Sequence, residues 1–246
     1  MTTNFSIIIP ARYNSSRLPG KPLLLINDKP LIQHVFETAS ATEAKKIIIA
    51  TDNDEICSRV ELFGAKAILT STKHESGTDR IAEVVEKLNY KDEEIIINLQ
   101  GDEFGLSPLL INHLASNLSE HRDCDVASLC ERIKNINEYT DPNIVKVVFN
   151  SKNEALYFSR SPIPIDRNGG LPNEVFKHIG IYAYRAEYLK RFTKFEKCEL
   201  EISEQLEQLR IIYNNSKIHL GIAEESSGIG IDTEEDLEIA RSHKRS

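Results

Sequence analysis

The chain has 246 residues and carries 38 Asp and Glu against 30 Lys and Arg, a formal net charge of −8. That balance argues against general nucleic-acid affinity, which rests on neutralising phosphates, while 40% hydrophobic residues provide for a packed core rather than disorder. No apolar stretch approaches the roughly 20 residues that span a bilayer, and the start MTTNFSIIIP lacks the basic segment of a signal peptide. A cytosolic protein with no membrane partner is expected. Cys57, Cys124, Cys130 and Cys198 show neither a CxxC pair nor metal-ligand spacing, so free thiols in a reducing compartment are expected.

FSIIIPA (5–11) is an unbroken β-branched run and reads as a strand buried on both faces. PLIQHVFETASA (30–41) reads as a helix, with Leu31, Val35 and Ala39 on one stripe. KKIIIATD (45–52) is a second buried strand. NDEICSRVELFG (53–64) is a helix that Asn53 can cap and Gly64 can close. A strand (65–71), a helix (78–88), a fourth buried strand EEIIINLQGDE (93–103) and a helix with proline in its first turn (107–121) follow. The alternation predicts an α/β fold with a mainly parallel sheet and helices on both faces.

The middle changes character. CDVASLCERI, NIVKVVFNSKNEALYFSRSPIPI and FKHIGIYAYR are strand-rich, with SKNE as a hairpin turn and 167–174 as a surface loop. RAEYLKRF and ISEQLEQLRIIY then read as helices, KIHLGIAEE as a strand and TEEDLEIARSHKR as a closing helix. No repeat or linker separates these parts. Residues 1–246 read as one unit, with an antiparallel excursion in a strand-rich lobe at about 124–184.

Ligands of such sheets sit beyond the carboxyl ends of the strands. The first strand runs into PARYNSSRLPGKPL (10–23), which carries Arg12, Arg17 and Lys21, and no acid occurs before Asp28. Cations and freed backbone N–H groups in such a loop suit a polyphosphate. The GxxxxGK[ST] spacing of a Walker loop is missing. The fourth strand ends in NLQGDE (98–103), where Asp102 suits a Mg²⁺ ligand. In GIGIDTEEDL (228–237), Thr233 and Asp236 form a pair that explains the helix start. Asp232 is not needed for that cap and is a candidate second carboxylate, although the stretch is equally well explained without one. Ser76, Gly77 and Thr78 in KHESGTDR precede a helix whose N-terminus can receive a phosphate or ribose, or can simply be capped. Arg160 ends a strand-like run and can pair with a substrate carboxylate. His178 and Tyr182 are an even number apart and share a face, and Glu207 and Gln208 read as ordinary solvated helix positions.

Together, IIIPARYNSSRLPGKPL, ATDNDEI, HESGTDR, NLQGDE, LYFSRSPIP, HIGIYAYR, LEQLR and GIDTEEDL resemble, in order and over nearly the whole chain, the 3-deoxy-manno-octulosonate (Kdo) cytidylyltransferases, also called CMP-Kdo synthetases. The resemblance implies a Rossmann-like nucleotidyltransferase fold, a homodimer, Mg²⁺ dependence and transfer of CMP from CTP to the anomeric hydroxyl of Kdo for lipopolysaccharide synthesis. By the same resemblance, Arg12, Arg17 and Lys21 contact the CTP phosphates, and Arg12, Lys21 and Asp102 carry the catalysis. Ser76, Thr78, Arg80 and Gln100 lie around the nucleotide. Asp102 and Asp232 hold Mg²⁺, and Arg160, His178, Tyr182, Glu207 and Gln208 line the sugar site.

Two departures from the family pattern stand out. Phe104 and then Gly105 follow QGDE where QGDEP is usual, and Glu199 replaces the proline before LE. The 8-amino analogue of Kdo or another sugar acid remains an alternative acceptor. A non-catalytic nucleotide sensor is a more distant one, since it would need neither Asp102 nor Asp232.

Overall fold

The computed structural model describes residues 3–13, 18–225 and 227–242. The strands are β1 (Phe5–Ala11), β2 (Leu25–Ile26), β3 (Lys29–Pro30), β4 (Lys46–Thr51), β5 (Lys66–Leu69), β6 (Ile95–Asn98), β7 (Glu103–Phe104), β8 (Val126–Arg132), β9 (Lys146–Phe149), β10 (Ala155–Ser159), β11 (Phe176–Arg185), β12 (Ile218–Ile222) and β13 (Ile229–Gly230). The helices are α1 (Leu31–Ser40), α2 (Asp54–Glu61), α3 (Gly77–Lys87), α4 (Pro108–Glu120), α5 (Ile136–Thr140), α6 (Ala186–Phe192), α7 (Glu199–Glu204), α8 (Gln208–Tyr213) and α9 (Glu234–Ser242).

One large sheet organises the molecule. β5, β4, β1 and β6 lie side by side and parallel, as the strand–helix alternation predicts. β11 then runs antiparallel to β6, β8 antiparallel to β11, and β12 parallel to β8. The β9–β10 hairpin joins the amino-terminal end of β11 through β9. The strand-rich middle is therefore an antiparallel extension of the same sheet. β1 is buried at every position. Its Ile7 and Ile9 pack with Leu31, Val35 and Leu114 on one face, while Ile8 packs with Ile81, Val84 and Tyr184 on the other. This two-sided burial is the reason its sequence shows no alternation. Among the described residues no helix is long and apolar enough to cross a membrane.

The local signals behave as their chemistry requires. The Asn53 side chain accepts a hydrogen bond from the Ile56 N–H at the start of α2, and Ser107 does the same for Leu109 at the start of α4. Thr233 and Asp236 cap each other ahead of α9.

One expected helix is broken. ISEQLEQLRIIY is not one helix, because Gln205 adopts a left-handed conformation with φ 53° that separates α7 from α8. The break is held by buried partners. Arg210 donates from Nε and NH2 to the two carboxylate oxygens of Glu201, at 2.7 and 2.5 Å. Both side chains are more than nine-tenths buried. Removing one member leaves an uncompensated buried charge. Glu201→Ala is therefore expected to cost ~3–5 kcal/mol of unfolding free energy. A urea midpoint indistinguishable from that of the parent chain would contradict this.

Candidate active site

β1 and β6 are neighbours, so the segments leaving their carboxyl ends start side by side. They also approach closely. A Cβ on Gly101 would lie 2.8 Å from the Pro10 carbonyl oxygen, so only glycine fits there. Gly20, at φ +69°, ends the basic loop and starts the short 3₁₀ turn Lys21–Leu23. The Lys21 ammonium then donates to Asp102 Oδ2 at 2.5 Å, to the Ile231 carbonyl at 2.9 Å and to Asp232 Oδ1 at 3.1 Å. All three of its N–H groups are used.

The third partner arrives from the far end of the chain. β13 pairs antiparallel with β7, and the Ile231 N–H donates to the Asp102 carbonyl at 3.0 Å. Gly228 permits this: it sits at φ +75°, and a Cβ there would fall 2.6 Å from the Phe104 carbonyl oxygen. The Phe104 ring, at the position where the family pattern has proline, meets the buried His34 edge-on at 5.2 Å. His34 Nε2 is itself 2.8 Å from the Ile26 carbonyl. The departure at 104 thus packs the acidic turn against α1 and the β2–β3 hairpin.

Arg12, Lys21, Ser76, Arg80, Gln100, Asp102 and Asp232 line one cleft of about 220 Å³, with Pro10, Gly77 and Gly101 among its walls. Arg12 is exposed. Arg17 lies outside the described residues. Glu103 keeps some solvent exposure but is packed around on nearly all sides. Burial first, then the charges of Asp102 and Asp232, push its carboxyl up to about 8, against the pull of Lys21. Its Oε1 lies 3.9 Å from where a Cβ on Gly180 would stand, so it faces β11.

α3 supplies the next wall. Ser76 caps it: its hydroxyl accepts from the Asp79 N–H at 3.1 Å, and its own N–H donates to Asp79 Oδ2 at 3.2 Å. Capping therefore accounts for Ser76, which nonetheless lines the cleft. Arg80 also lines it, but its guanidinium is committed. It donates to Asp52 Oδ2 at 2.8 Å and to Thr70 Oγ1 at 2.6 Å, with only 3% of its surface exposed. Asp52 Oδ1 also lies 3.5 Å from the Tyr13 N–H, so Arg80 and Asp52 brace the basic loop. Thr78 does not line the cleft. It is buried, and its hydroxyl donates to Glu207.

Glu207 and Gln208 are not solvated helix positions, as their spacing suggested. Gln208 is buried, and the Glu207 carboxyl is raised from its ordinary value by burial, partly offset by Thr78 and Ser76. The helix break at Gln205 turns both residues inward. Glu207 in turn helps push up the pKa of the Tyr182 hydroxyl, after burial. The Tyr182 and His178 rings are 5.4 Å apart, on one face as their spacing predicts. Ile179 pairs with Leu129 and Tyr182 with Ser128, so β11 carries an even-numbered bulge that preserves the parity. The Ser128 hydroxyl donates to the Ile181 carbonyl at 2.8 Å inside that bulge and lies 2.8 Å from His178 Nε2. With the hydroxyl proton on a carbonyl, Nε2 is the donor of the pair. Although His178 is only partly hidden from solvent, the surrounding protein pulls its pKa down to about 3, so the ring is neutral near pH 7.

Arg160 stands apart from the cleft wall. Its Nε donates to the Glu204 carbonyl at 2.8 Å and NH1 to the Pro142 carbonyl at 3.0 Å. Glu204 lies in the same α7–α8 turn as Glu207, which ties Arg160 to the neighbourhood of Tyr182.

The sequence reading missed Asp52, Glu103 and Ser128. For Asp52 there was a signal: it closes a strand adjacent to β1, at the ligand-binding end of the sheet. The all-oxygen set of Asp102, Asp232 and the Ile231 carbonyl, already gathered around one cation, suits a hard divalent ion.

A parallel sheet with a basic loop and two carboxylates at its carboxyl end defines a nucleotidyltransferase site, and the family comparison agrees. The chain belongs to the cytidylyltransferase family, whose model matches residues 6–218. Within that family its relatives are 3-deoxy-manno-octulosonate cytidylyltransferases. The one from Thioalkalivibrio sulfidiphilus is 46% identical over 241 residues, covering 96% of each chain. The one from Haemophilus influenzae is 46% identical over 248 residues, covering 97% of each. Among solved structures, CMP:2-keto-3-deoxy-manno-octonic acid synthetase complexed with CTP superposes with a TM-score of 0.91 at 43% identity, covering 97% of both chains. A glucose-1-phosphate thymidylyltransferase from Bacillus anthracis, at 15% identity and a TM-score of 0.66, shares the fold.

Proposed function

We propose that this protein transfers CMP from CTP to the anomeric hydroxyl of Kdo, with pyrophosphate leaving and CMP-Kdo feeding lipopolysaccharide synthesis, as a Mg²⁺-dependent homodimer in the cytoplasm. The observation that carries the chemistry is the meeting of Lys21, Asp102 and Asp232 beside Arg12 in one cleft. The acceptor rests on relatives at 46% identity that are named for Kdo.

In this reading the acceptor hydroxyl oxygen bonds to the α-phosphorus as the bond to the bridging oxygen of pyrophosphate breaks, and the hydroxyl proton is released to solvent. Two anions must approach each other. Arg12 and Lys21, with Arg17 from the same loop, offset that repulsion and hold the charge that grows on the leaving pyrophosphate. Asp102 and Asp232 hold Mg²⁺, which when bound supplies further charge neutralisation at the phosphates. Arg80 acts from behind, keeping the basic loop in place through Asp52. Gln100 and Ser76 border the nucleotide, while Thr78 lies behind the cleft wall and holds Glu207. Arg160, His178, Tyr182, Glu207 and Gln208 serve the sugar acid. His178 is neutral near pH 7 and, with its Nε2–H given to Ser128, offers Nδ1 as an acceptor rather than a charge.

The test is direct. Protein, Mg²⁺, CTP and Kdo together are expected to release pyrophosphate, and omission of any one is expected to abolish release. No release with Kdo would overturn the acceptor assignment. Release with the 8-amino sugar alone would keep the transfer chemistry and move the acceptor.

A further inference from the structure

Lys146 opens β9 and is fully buried. A buried ammonium is costly unless its donors are met. Here they are met without any carboxylate: Nζ donates to the carbonyls of Asp141 at 2.8 Å, Ile144 at 2.6 Å and Arg160 at 2.5 Å. Burial lowers its pKa, with nearby Arg160 acting in the same direction and Asp141 and Glu204 opposing it. Two strangers in sequence, the 141–144 loop and the end of β10, are thus tied to one nitrogen.

That tie has a direction. Arg160 NH1 donates to Pro142 in the same loop, its Nε donates to the Glu204 carbonyl, and its own N–H donates to Glu204 Oε2 at 2.9 Å. Lys146 therefore holds both the Arg160 backbone and the loop that holds the Arg160 side chain. Among the described residues Arg160 makes no salt bridge. Its guanidinium is oriented by neutral carbonyls, so its charge is left for an incoming anion. A structural lysine alone would need no such arrangement around a second cation.

We propose that Lys146 is a positioning residue that sets Arg160 for the carboxylate of the acceptor. This rests on the reading above, in which Arg160 meets a sugar acid. Lys146→Met keeps the length of the side chain and removes the donors. The KM for Kdo is expected to rise roughly tenfold or more while the KM for CTP stays within about twofold, since a misplaced carboxylate partner weakens only the acceptor. The second readout is the preference for Kdo over its carboxamide, measured as the ratio of kcat/KM values. It is expected to be large in the parent enzyme and to fall roughly tenfold in the variant. If Lys146→Met does not fold, Lys146→Gln, whose amide has two N–H groups for the three carbonyls that Lys146 holds, is expected to show the same fall. Equal changes in both KM values, or an unaltered preference, would overturn the role of Lys146 while leaving the transfer reaction intact. A parent enzyme that turns over Kdo without favouring the carboxylate would overturn the role of Arg160 and with it that of Lys146. A parent enzyme inert toward Kdo would overturn the function itself and this inference together.

Discussion

Replacing Lys21 with methionine is expected to lower kcat roughly 10²–10³-fold, the usual cost of removing one preorganised stabiliser of developing charge. The same change is expected to tighten Mn²⁺ binding in the absence of nucleotide by roughly five- to tenfold. The two effects have one origin. The Lys21 ammonium has three N–H groups, and Asp102, Asp232 and the Ile231 carbonyl take all of them. It can serve a phosphate only by giving up these partners, and a divalent cation can take the carboxylates only by displacing it. The competing ion pair is partly exposed, with Asp102 at 31% and Asp232 at 51% side-chain exposure, so its worth is ~1 kcal/mol rather than several. Electron paramagnetic resonance of Mn²⁺ reads the affinity, and pyrophosphate release reads the turnover. Weaker Mn²⁺ binding in the variant would show that Lys21 does not compete for the carboxylates.

Asp102→Asn and Asp232→Asn should each lower turnover roughly 10³-fold, by loss of the ion and of the charge it neutralises at the phosphates. Each should also weaken Mn²⁺ binding, the opposite of Lys21→Met. The fold is expected to survive both changes. Lys21 keeps the other carboxylate and the Ile231 carbonyl, and the Ile231 N–H still finds the main-chain carbonyl of residue 102. Unaltered Mn²⁺ binding in either variant would remove that residue from the metal site. Unaltered turnover would remove it from the chemistry.

Much of this was legible in the chain because it depends on local chemistry. β1 was readable because a strand buried on both faces is apolar at nearly every position, and α2 because Asn53 announces its start. The position of Asp102 followed from a topological regularity of parallel sheets. Asp232 was ambiguous, since Thr233 and Asp236 explain its surroundings without it. Only the β7–β13 pairing carries it to Lys21. Other features were not legible because their causes lie far away in sequence. Gln205 breaks a helix whose apolar spacing looks continuous, and what holds the break is the buried Glu201–Arg210 pair. The resemblance sets Arg80 beside the nucleotide, yet Asp52, 28 residues earlier, has already claimed it. Glu207 looks solvated until the broken helix turns it toward Thr78.

The partners of Lys21 include one 211 positions further along the chain. A polypeptide emerging from the ribosome therefore supplies most of its sheet before it supplies the last partner of Lys21. On the proposed function, synthesis must pass residue 232 before turnover begins, and a protease nick between β12 and β13 is expected to lower pyrophosphate release while the body of the protein stays folded.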